Sequence, residues 1–521
     1  VCLINMKSLF EKYIVGSYCL LAFLGITLFF ARSAINAFIE PKWALAGILV
    51  LLPMLLSFSF QNNKFSSSGG RIYPLVWAAF LGWTTLSLLW LPQWTMGLVS
   101  LSCWVVLAMS AYLGHIAGRS EDYKKVTICL ALIAAVQIVV GLWQAVAYSK
   151  DLPRALIGTI GYHNFYAEFL ILTCPFLGMI AINTRNRLTK AVLIMVLLVG
   201  LLVFIASQSR AGIIGILLMS LVLGVSLWRS SGYRQRLKIF LAGIILSIIL
   251  ITIITPVFPS KIGGMSWRTH EDLSSRLVGR KLIWMAAHDM VVDHPILGVG
   301  IGGFPYKYYD YQGAIVQSYP LNRILPAREV VLAAHNEILH VACESGLLGA
   351  FLMLVILCWP IIKLWKWSPE EDYDQRLRLT ILASLFGIFP SMLVAFPVQV
   401  PATGPLIFFL FQFGVGRMSK EVKSSKMTWP VISVICAAGI LATIVLVAQY
   451  ISSRYLEKAL ITEESEVSFA EINYKKGIVW APDKGIAKSI YGSFLVRTGK
   501  IDEGVCQLSD SLKTFQDAYT Y

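Results

Sequence analysis

The sequence has few charged residues and no cysteines at C-x-x-C spacing. Asp, Glu, Lys and Arg make up 14% of the 521 residues, whereas hydrophobic residues make up 57%. A typical soluble domain has about a quarter of its residues charged, so this composition excludes an ordinary soluble enzyme. The nine cysteines are scattered and contain no C-x-x-C pair. The sequence therefore predicts neither a metal site nor a disulfide framework.

The sequence contains many long apolar runs. Runs of about 18 residues or more recur along most of the chain, and each can cross a bilayer core of roughly 30 Å as a helix. The sequence predicts an all-α polytopic membrane protein with 12 to 13 transmembrane helices. The predicted spans are 13–31, 43–60, 73–91, 95–117, 126–148, 165–183, 190–207, 211–228, 237–257, 340–362, 378–397, 403–416 and 429–450.

The basic residues of the short connections predict the orientation. With a cytoplasmic N-terminus, 22 Lys and Arg side chains fall on the cytoplasmic side and 5 on the opposite side. Much of the net charge of +15 therefore reflects membrane topology. The sequence contains no basic stripe with interleaved aromatics, the pattern that would indicate nucleic-acid binding. The prediction divides the chain into N-terminal helices (1–189), a membrane core (190–450) and a tail (451–521). The long loop 258–335 and the tail fall on the non-cytoplasmic face.

Arginines collect on that face. Arg210 lies in the polar break "SQSRAG", at the start of the predicted eighth span. In the long loop, Arg276 and Arg280 are four residues apart and share one face of a predicted helix. That helix is expected to stop at His294-Pro295, because proline disfavours helix in the residue before it. The following "GVGIGG" predicts a turn and not a dinucleotide fingerprint, because no strand–turn–helix unit surrounds it.

Two predicted helices begin on this face, one at Arg210 and one at His335. Unpaired N–H groups at helix starts bind anions. Together with Arg210 and Arg280, they predict a pocket for a multiply negative ligand at the membrane surface. A lipid-linked diphosphate has the required charged head and apolar tail.

The stretch "AAHNEILHVACESG" offers two different interpretations of its histidines. Glu337, His340 and Glu344 share a helical stripe, which favours an internal polar seam between helices. His335 and His340 are about 140° apart around a helix, so they do not form a metal pair. His335 lies at the helix mouth near predicted positive charge, which disfavours the imidazolium and leaves a neutral group able to accept a proton. From the spacing alone, a capping or structural role for His335 is favoured over catalysis.

Three segments resemble the O-antigen ligase family, whose shared region also occurs in O-antigen polymerases and pilin O-oligosaccharyltransferases. They are "SQSRAGIIGI" (207–216), "GRKLIWMAAHDMVVDHPILGVGIGGF" (279–304) and "HNEILHVACESGLLGAF" (335–351). The order, the spacing and the common external face of these segments carry the resemblance. With the helices between them, they cover roughly residues 190–400.

The resemblance implies a GT-C-like glycosyltransferase fold with a large periplasmic loop in a bacterial inner membrane, with its active site facing the periplasm. It implies metal-independent, inverting transfer of a glycan from undecaprenyl diphosphate to an acceptor hydroxyl of lipid A–core, without a cofactor. Arg210 and Arg280 match the positions that hold the diphosphate, with Arg276 as an addition, and His335 matches the base. The supporting candidates are Gln208, Asn336 and Glu337.

Two departures from the family pattern stand out. Many members carry a second histidine before the loop histidine, but here Ala334 precedes His335, which leaves His335 as the local candidate. The segment "GTIGYHNFYAEF" (158–169) is similar to a family segment usually written Gly-Asn-Pro-Asn. Because Tyr162 and His163 replace its middle, the segment is assigned no role beyond lining the cavity.

Other functions stay open at this point. An O-antigen or exopolysaccharide polymerase would lengthen lipid-linked chains, and a protein O-oligosaccharyltransferase would modify pilin. A transporter would place its charged residues near the membrane midplane, on broken helices. In the tail, residues 490–512 are similar to a tetratricopeptide repeat, and an amphipathic helical hairpin is the alternative.

Overall fold

The computed structural model describes most of the chain. The described residues are 15–60, 64–65, 72–149, 152, 154–229, 270–318, 331–419, 425–426 and 429–513. The predicted ninth span, 237–257, lies outside them, as does part of the loop 258–335.

The regular secondary structure of the described residues is helical, apart from one two-residue strand pair, β1 (Lys64–Phe65) with β2 (Ser425–Lys426). Short 3-10 turns (Ser87–Trp90 and Trp94–Gly97) separate two of the helices. The helices in chain order are α1 (Val15–Leu28), α2 (Glu40–Phe60), α3 (Ile72–Leu86), α4 (Leu98–Arg119), α5 (Tyr123–Ala147), α6 (His163–Asn183), α7 (Arg187–Ala206), α8 (Arg210–Arg229), α9 (His270–Asp293), α10 (Phe304–Ser318), α11 (Glu337–Lys366), α12 (Asp372–Val394), α13 (Gly404–Met418), α14 (Trp429–Thr462), α15 (Val467–Trp480), α16 (Gly485–Arg497) and α17 (Ile501–Ser511).

The structure confirms an all-α polytopic membrane protein. Among the described residues, eight helical segments are long and apolar enough to cross a membrane, and two shorter apolar helices, Arg210–Val225 and Gly404–Met418, accompany them. Every predicted span within the described ranges coincides with a helix. The total of 12 to 13 spans stays a prediction.

The shortest predicted span, α13, lies at the centre of the bundle. Its residues from Gly404 to Gly416 are all buried. Its close partner is α4, where a Cβ on Gly114 would stand 2.2 Å from the carbonyl oxygen of Phe409. Glycines at such an interface let two helix backbones approach closely, which replaces the hydrophobic driving force that lipid does not supply. A helix surrounded by protein does not need the length of a lipid-facing span.

Connections at one end of the bundle pack against each other, and we call this the site end. Trp43 Nε1 donates to the carbonyl of Gln399 at 3.3 Å, and the Ile35 amide donates to Ser453 Oγ at 2.8 Å. The opposite end carries the β1–β2 pair and a buried ion pair between Arg417 and Asp374, with 2.8 Å from Nε to Oδ2.

The helices α9 and α10, which belong to the long loop, pack on the site end of α11. As predicted, α9 ends at Asp293, before His294-Pro295. The chain then turns through glycines with positive φ and binds α11, where the amide of Val299 donates to the carbonyl of Cys343 at 2.8 Å. Gly346 (φ 67°) kinks α11 at this contact, and the amide of Leu347 donates to the carbonyl of Pro295 at 2.8 Å.

The tail is a small helical unit. The end of α14 packs with α15 and α16 around Tyr474, Tyr491 and Phe494, which are all buried. Helices α16 and α17 form a hairpin in which a Cβ on Gly492 would approach the carbonyl oxygen of Gly504 to 3.0 Å. A tetratricopeptide identity for this hairpin stays a prediction.

Candidate active site

Arg210 is the first residue of α8, at the site end of the bundle, and its side chain is exposed. Ser209 Oγ accepts from the amide of Gly212 at 3.3 Å and so caps the first turn. Gln208, just before it, has a φ of 54°. The chain therefore makes a sharp turn that delivers Arg210 to the helix start, where the positive end of the helix dipole adds to its charge.

Arg280 lies on α9, half-buried, with Arg210 and Tyr162 nearby. Burial, and then the neighbouring Arg210 charge, lower the pKa of Arg280. Among the described side chains, neither arginine forms an ion pair with a carboxylate. Two neighbouring guanidiniums without a compensating anion are unfavourable unless a ligand supplies negative charge. Arg276 lies on the same helix, but its side chain is outside the described set.

His335 occupies an unusual backbone conformation. Its φ is 50°, and within the described ranges Gln208 is the other non-glycine residue with positive φ. Strain of this kind concentrates at functional sites and persists where the surroundings impose it. Here Trp284 Nε1 donates to the carbonyl of Ala334 at 3.0 Å, and the Ala334 amide donates to His340 Nδ1 at 3.4 Å. Ala334, the residue before His335, is therefore held through both its carbonyl and its amide.

The imidazole of His335 is kept neutral by its environment. Burial is the largest cause, followed by the charge of Arg280 and by His340, and together they lower the pKa of His335 from 6.5 to about 4. A neutral imidazole can accept a proton at neutral pH. The structure thus brings Arg210, Arg280 and His335 into one electrostatically connected group, and their chemical roles stay predictions.

The two supporting residues next to His335 have clear structural contacts. Asn336 caps α11, because its side chain accepts from the Leu339 amide at 3.0 Å. Glu337 is fully buried, and its Oε1 accepts from the Val398 amide at 2.6 Å. Glu337 therefore ties the start of α11 to the loop between α12 and α13, which also carries Phe396.

The polar seam predicted for α11 is confirmed. Glu337, His340 and Glu344 are all buried, and His340 Nε2 lies 3.6 Å from Glu344 Oε1. Glu344 Oε1 also accepts from the amide of Phe304, the first residue of α10. The seam thus joins α11 to the long loop that contains α10.

The structure adds a row of aromatic side chains that sequence analysis did not assign. The rings of Tyr162 and Phe165 are 5.3 Å apart, those of Phe165 and Phe396 are 5.3 Å apart, and those of Phe396 and His335 are 5.0 Å apart. We call Tyr162, Phe165 and Phe396 the aromatic row. Its first two members sit at the start of α6, so a third helix N-terminus reaches the site. The "GTIGYHNF" motif was the one sequence signal for Tyr162, and no sequence signal indicated Phe396.

Within the described residues, no group of three or more His, Cys, Asp and Glu side chains is placed to hold a metal ion. The metal-independent chemistry implied by the resemblance stays a prediction.

Comparison with known proteins confirms the predicted resemblance over the membrane core. The O-Antigen ligase family model matches residues 193–354, a range that contains Arg210, Arg280 and His335. The chain is also similar to the exopolysaccharide production protein ExoQ of Rhizobium meliloti (strain 1021), with 23% identity over 160 residues. The match covers 30% of this chain and 34% of that protein. The aromatic row lies outside the residues that the family model matches.

Proposed function

We propose that the protein is a membrane glycosyltransferase that moves a glycan from undecaprenyl diphosphate to an acceptor hydroxyl, on lipid A–core, at the periplasmic face of a bacterial inner membrane. The observation that carries the proposal is the pair of neighbouring guanidiniums, Arg210 and Arg280, beside the neutral imidazole of His335. The family match over 193–354 supports the same reaction class.

In the proposed reaction, Arg210 and Arg280 bind the diphosphate, and the helix starts at the site add N–H donors. An acceptor hydroxyl approaches His335 and gives its proton to the imidazole as its oxygen bonds to the anomeric carbon. The bond from that carbon to the phosphate oxygen breaks, and the lipid diphosphate leaves with one additional negative charge. The guanidiniums stabilise that growing charge, and direct displacement inverts the anomeric centre.

Arg210→Lys and Arg280→Lys test the diphosphate role in a reaction of purified protein with a lipid-linked glycan and candidate acceptors, followed by mass shift of the acceptor. Lysine keeps the charge but loses the two-pronged hydrogen bonding of the guanidinium. We expect each variant to lower the rate by about 10²-fold, the loss seen when one transition-state donor is removed.

Arg187→Lys is the matched control, because Arg187 is exposed at the start of α7, away from the site end. Its rate should equal that of the unmodified protein. Full activity in both site variants would contradict a specific diphosphate role for the two arginines.

A second candidate function is polymerisation of lipid-linked glycans. The similarity to a protein described by its role in exopolysaccharide production favours it. The same assay separates the two functions when the lipid-linked glycan is supplied without any other acceptor. Longer lipid-linked chains would indicate a polymerase, whereas transfer that requires lipid A–core indicates a ligase.

A further inference from the structure

The aromatic row connects the two groups to which we assign chemistry. At one end, Tyr162 lies near Arg280. At the other end, the ring of Phe396 contacts the ring of His335 at 5.0 Å. Between them, Phe165 contacts both partners at 5.3 Å. The row therefore runs from the proposed diphosphate position to the proposed base.

The chemistry of the proposed reaction places one particular sugar in this gap. The transferred anomeric carbon is bonded to the diphosphate and is attacked by the oxygen that His335 deprotonates. The ring containing that carbon must therefore lie between Arg280 and His335. A pyranose ring has an apolar face of C–H groups, and aromatic rings with a negative π face suit such a surface.

We infer that Tyr162, Phe165 and Phe396 form the subsite for the first sugar of the donor, the one bonded to the diphosphate. This inference rests on the proposed function. Tyr162 is 44% exposed, and Phe165 and Phe396 are half-buried, so the rings retain surface for a ligand.

Buried polar groups fix the turn that presents Tyr162. Gln144 bonds both sides of Gly158, donating to its carbonyl at 2.9 Å and accepting from its amide at 2.7 Å. Lys42 Nζ, fully buried, donates to the carbonyl of Thr159 at 2.6 Å. Gly161 has a φ of 111°, which a larger residue rarely adopts, and leads directly into Tyr162.

The loop that presents Phe396 is fixed in a similar way, by the buried carboxyl of Glu337 on the Val398 amide. Two separate segments are thus held by buried side chains so that their aromatic rings meet. Binding sites need such support, because a ligand cannot be positioned by groups that are themselves free to move.

Direct binding tests the inference without relying on catalysis. The two probes are polyprenyl diphosphate without sugar and the same lipid diphosphate carrying one sugar. The unmodified protein should bind the glycosylated probe more tightly. In Tyr162→Ala and Phe396→Leu, the Kd of the glycosylated probe should rise about five- to tenfold, from the loss of roughly 40–50 Å² of apolar contact, with the sugar-free probe unchanged.

Tyr148→Ala is the matched control. Tyr148 is a tyrosine of similar exposure, 48%, that packs on Trp143 at the end of α5, outside the row. It should leave both dissociation constants unchanged. Tyr162→Phe should retain most of the sugar preference, because it keeps the ring and loses only the hydroxyl.

Other outcomes would overturn the inference. Equal weakening of both probes would assign the row to the isoprenoid chain, and no weakening of either would assign it to packing alone. If Tyr162→Ala fails to fold, as judged by its thermal transition, Phe396→Leu and Tyr162→Phe decide between these results. Failure of the proposed function would appear differently, as absence of transfer by unmodified protein in the acceptor assay, whatever the binding results.

Discussion

The acid limit of the reaction should lie unusually low if His335 is the base. A histidine with the ordinary pKa of 6.5 would lose its function as the pH falls through 6.5, because the imidazolium cannot accept a proton. Burial and the charge of Arg280 lower the pKa of His335 to about 4. The neutral form therefore persists across the whole range in which most histidines become charged.

The difference is largest near pH 5. At that pH, a pKa of about 4 leaves roughly 90% of the imidazole neutral, whereas a pKa of 6.5 would leave roughly 3%. The rate at pH 5 should consequently stay within about 10% of its plateau, instead of falling about thirtyfold. Because kcat/KM reports the ionisation of the free enzyme, it is the quantity to compare with this structure.

The assay is kcat/KM for glycan transfer between pH 4 and pH 8 at constant ionic strength. A donor diphosphate esterified at both ends does not itself titrate in this window. In Arg280→Gln, one cause of the lowered pKa of His335 is removed, so the remaining activity should show its acid limb at a higher pH. In His335→Asn, the rate should fall by about 10²–10⁴-fold at every pH.

His335→Asn is a better test than His335→Ala, because asparagine tolerates the positive φ of this position. Loss of rate in that variant therefore reports on the imidazole and not on backbone strain. An acid limb at pH 6 to 7 in the unmodified protein, or normal transfer by folded His335→Asn, would refute the reasoning.

Three further predictions concern residues that support the site, and thermal unfolding measures the stability of each variant. Glycan transfer is measured as well for the Glu337 variants, and donor binding for Gln144→Leu. Glu337→Ala should lower the free energy of unfolding by about 1–3 kcal/mol and reduce transfer, because it leaves the Val398 amide without its acceptor. Glu337→Gln keeps a carbonyl oxygen as acceptor, so its effects on stability and transfer should be small. Gly346→Ala should lower the free energy of unfolding by at least about 1–2 kcal/mol, because φ is 67° and the new Cβ would lie 1.9 Å from the Ile296 carbonyl oxygen. An unchanged melting temperature would contradict the kinked backbone conformation at Gly346. Gln144→Leu should lower the free energy of unfolding by about 1–3 kcal/mol, because Gly158 loses both of its hydrogen bonds to the Gln144 side chain. It should also weaken donor binding, because these bonds hold the turn that leads to Tyr162. Unaltered binding would show that the turn has other support.

The sequence was sufficient for features that depend on local pattern. Apolar runs located the helices, because length and hydropathy decide whether a segment crosses lipid. The polar break before the helix at Arg210 and the helix end before His294-Pro295 were also predictable. The first depends on the polarity of neighbouring residues and the second on the backbone restriction that proline imposes. The central place of α13 was not predictable, because its short apolar run does not show whether its neighbours are lipid or protein.

The candidate site was predictable in part for the same reason. Arg210 and His335 stood out because each lies at the predicted start of an apolar helix, where charged and titratable groups are costly, and Arg280 because it lies in the long loop predicted for the same face. Tyr162 and Phe396 are 234 positions apart in the printed sequence and belong to segments of ordinary composition. Phe165 brings their rings together, and this contact arises from tertiary packing alone. The positive φ of His335 was likewise invisible, because it is imposed by contacts from Trp284 and His340.

The uninterrupted length of α14 has a mechanical consequence for the tail. Its 34 residues span about 51 Å, well beyond a hydrocarbon core of roughly 30 Å. The helical unit of the tail is thus attached to the end of a long, rigid helix. Ser453 on that helix accepts a hydrogen bond from the Ile35 amide, which fixes the position of α14 against the bundle. A single residue inserted beyond Ser453 would turn the tail by about 100° and raise it by about 1.5 Å. The register of one helix therefore sets which surface of the tail faces the membrane.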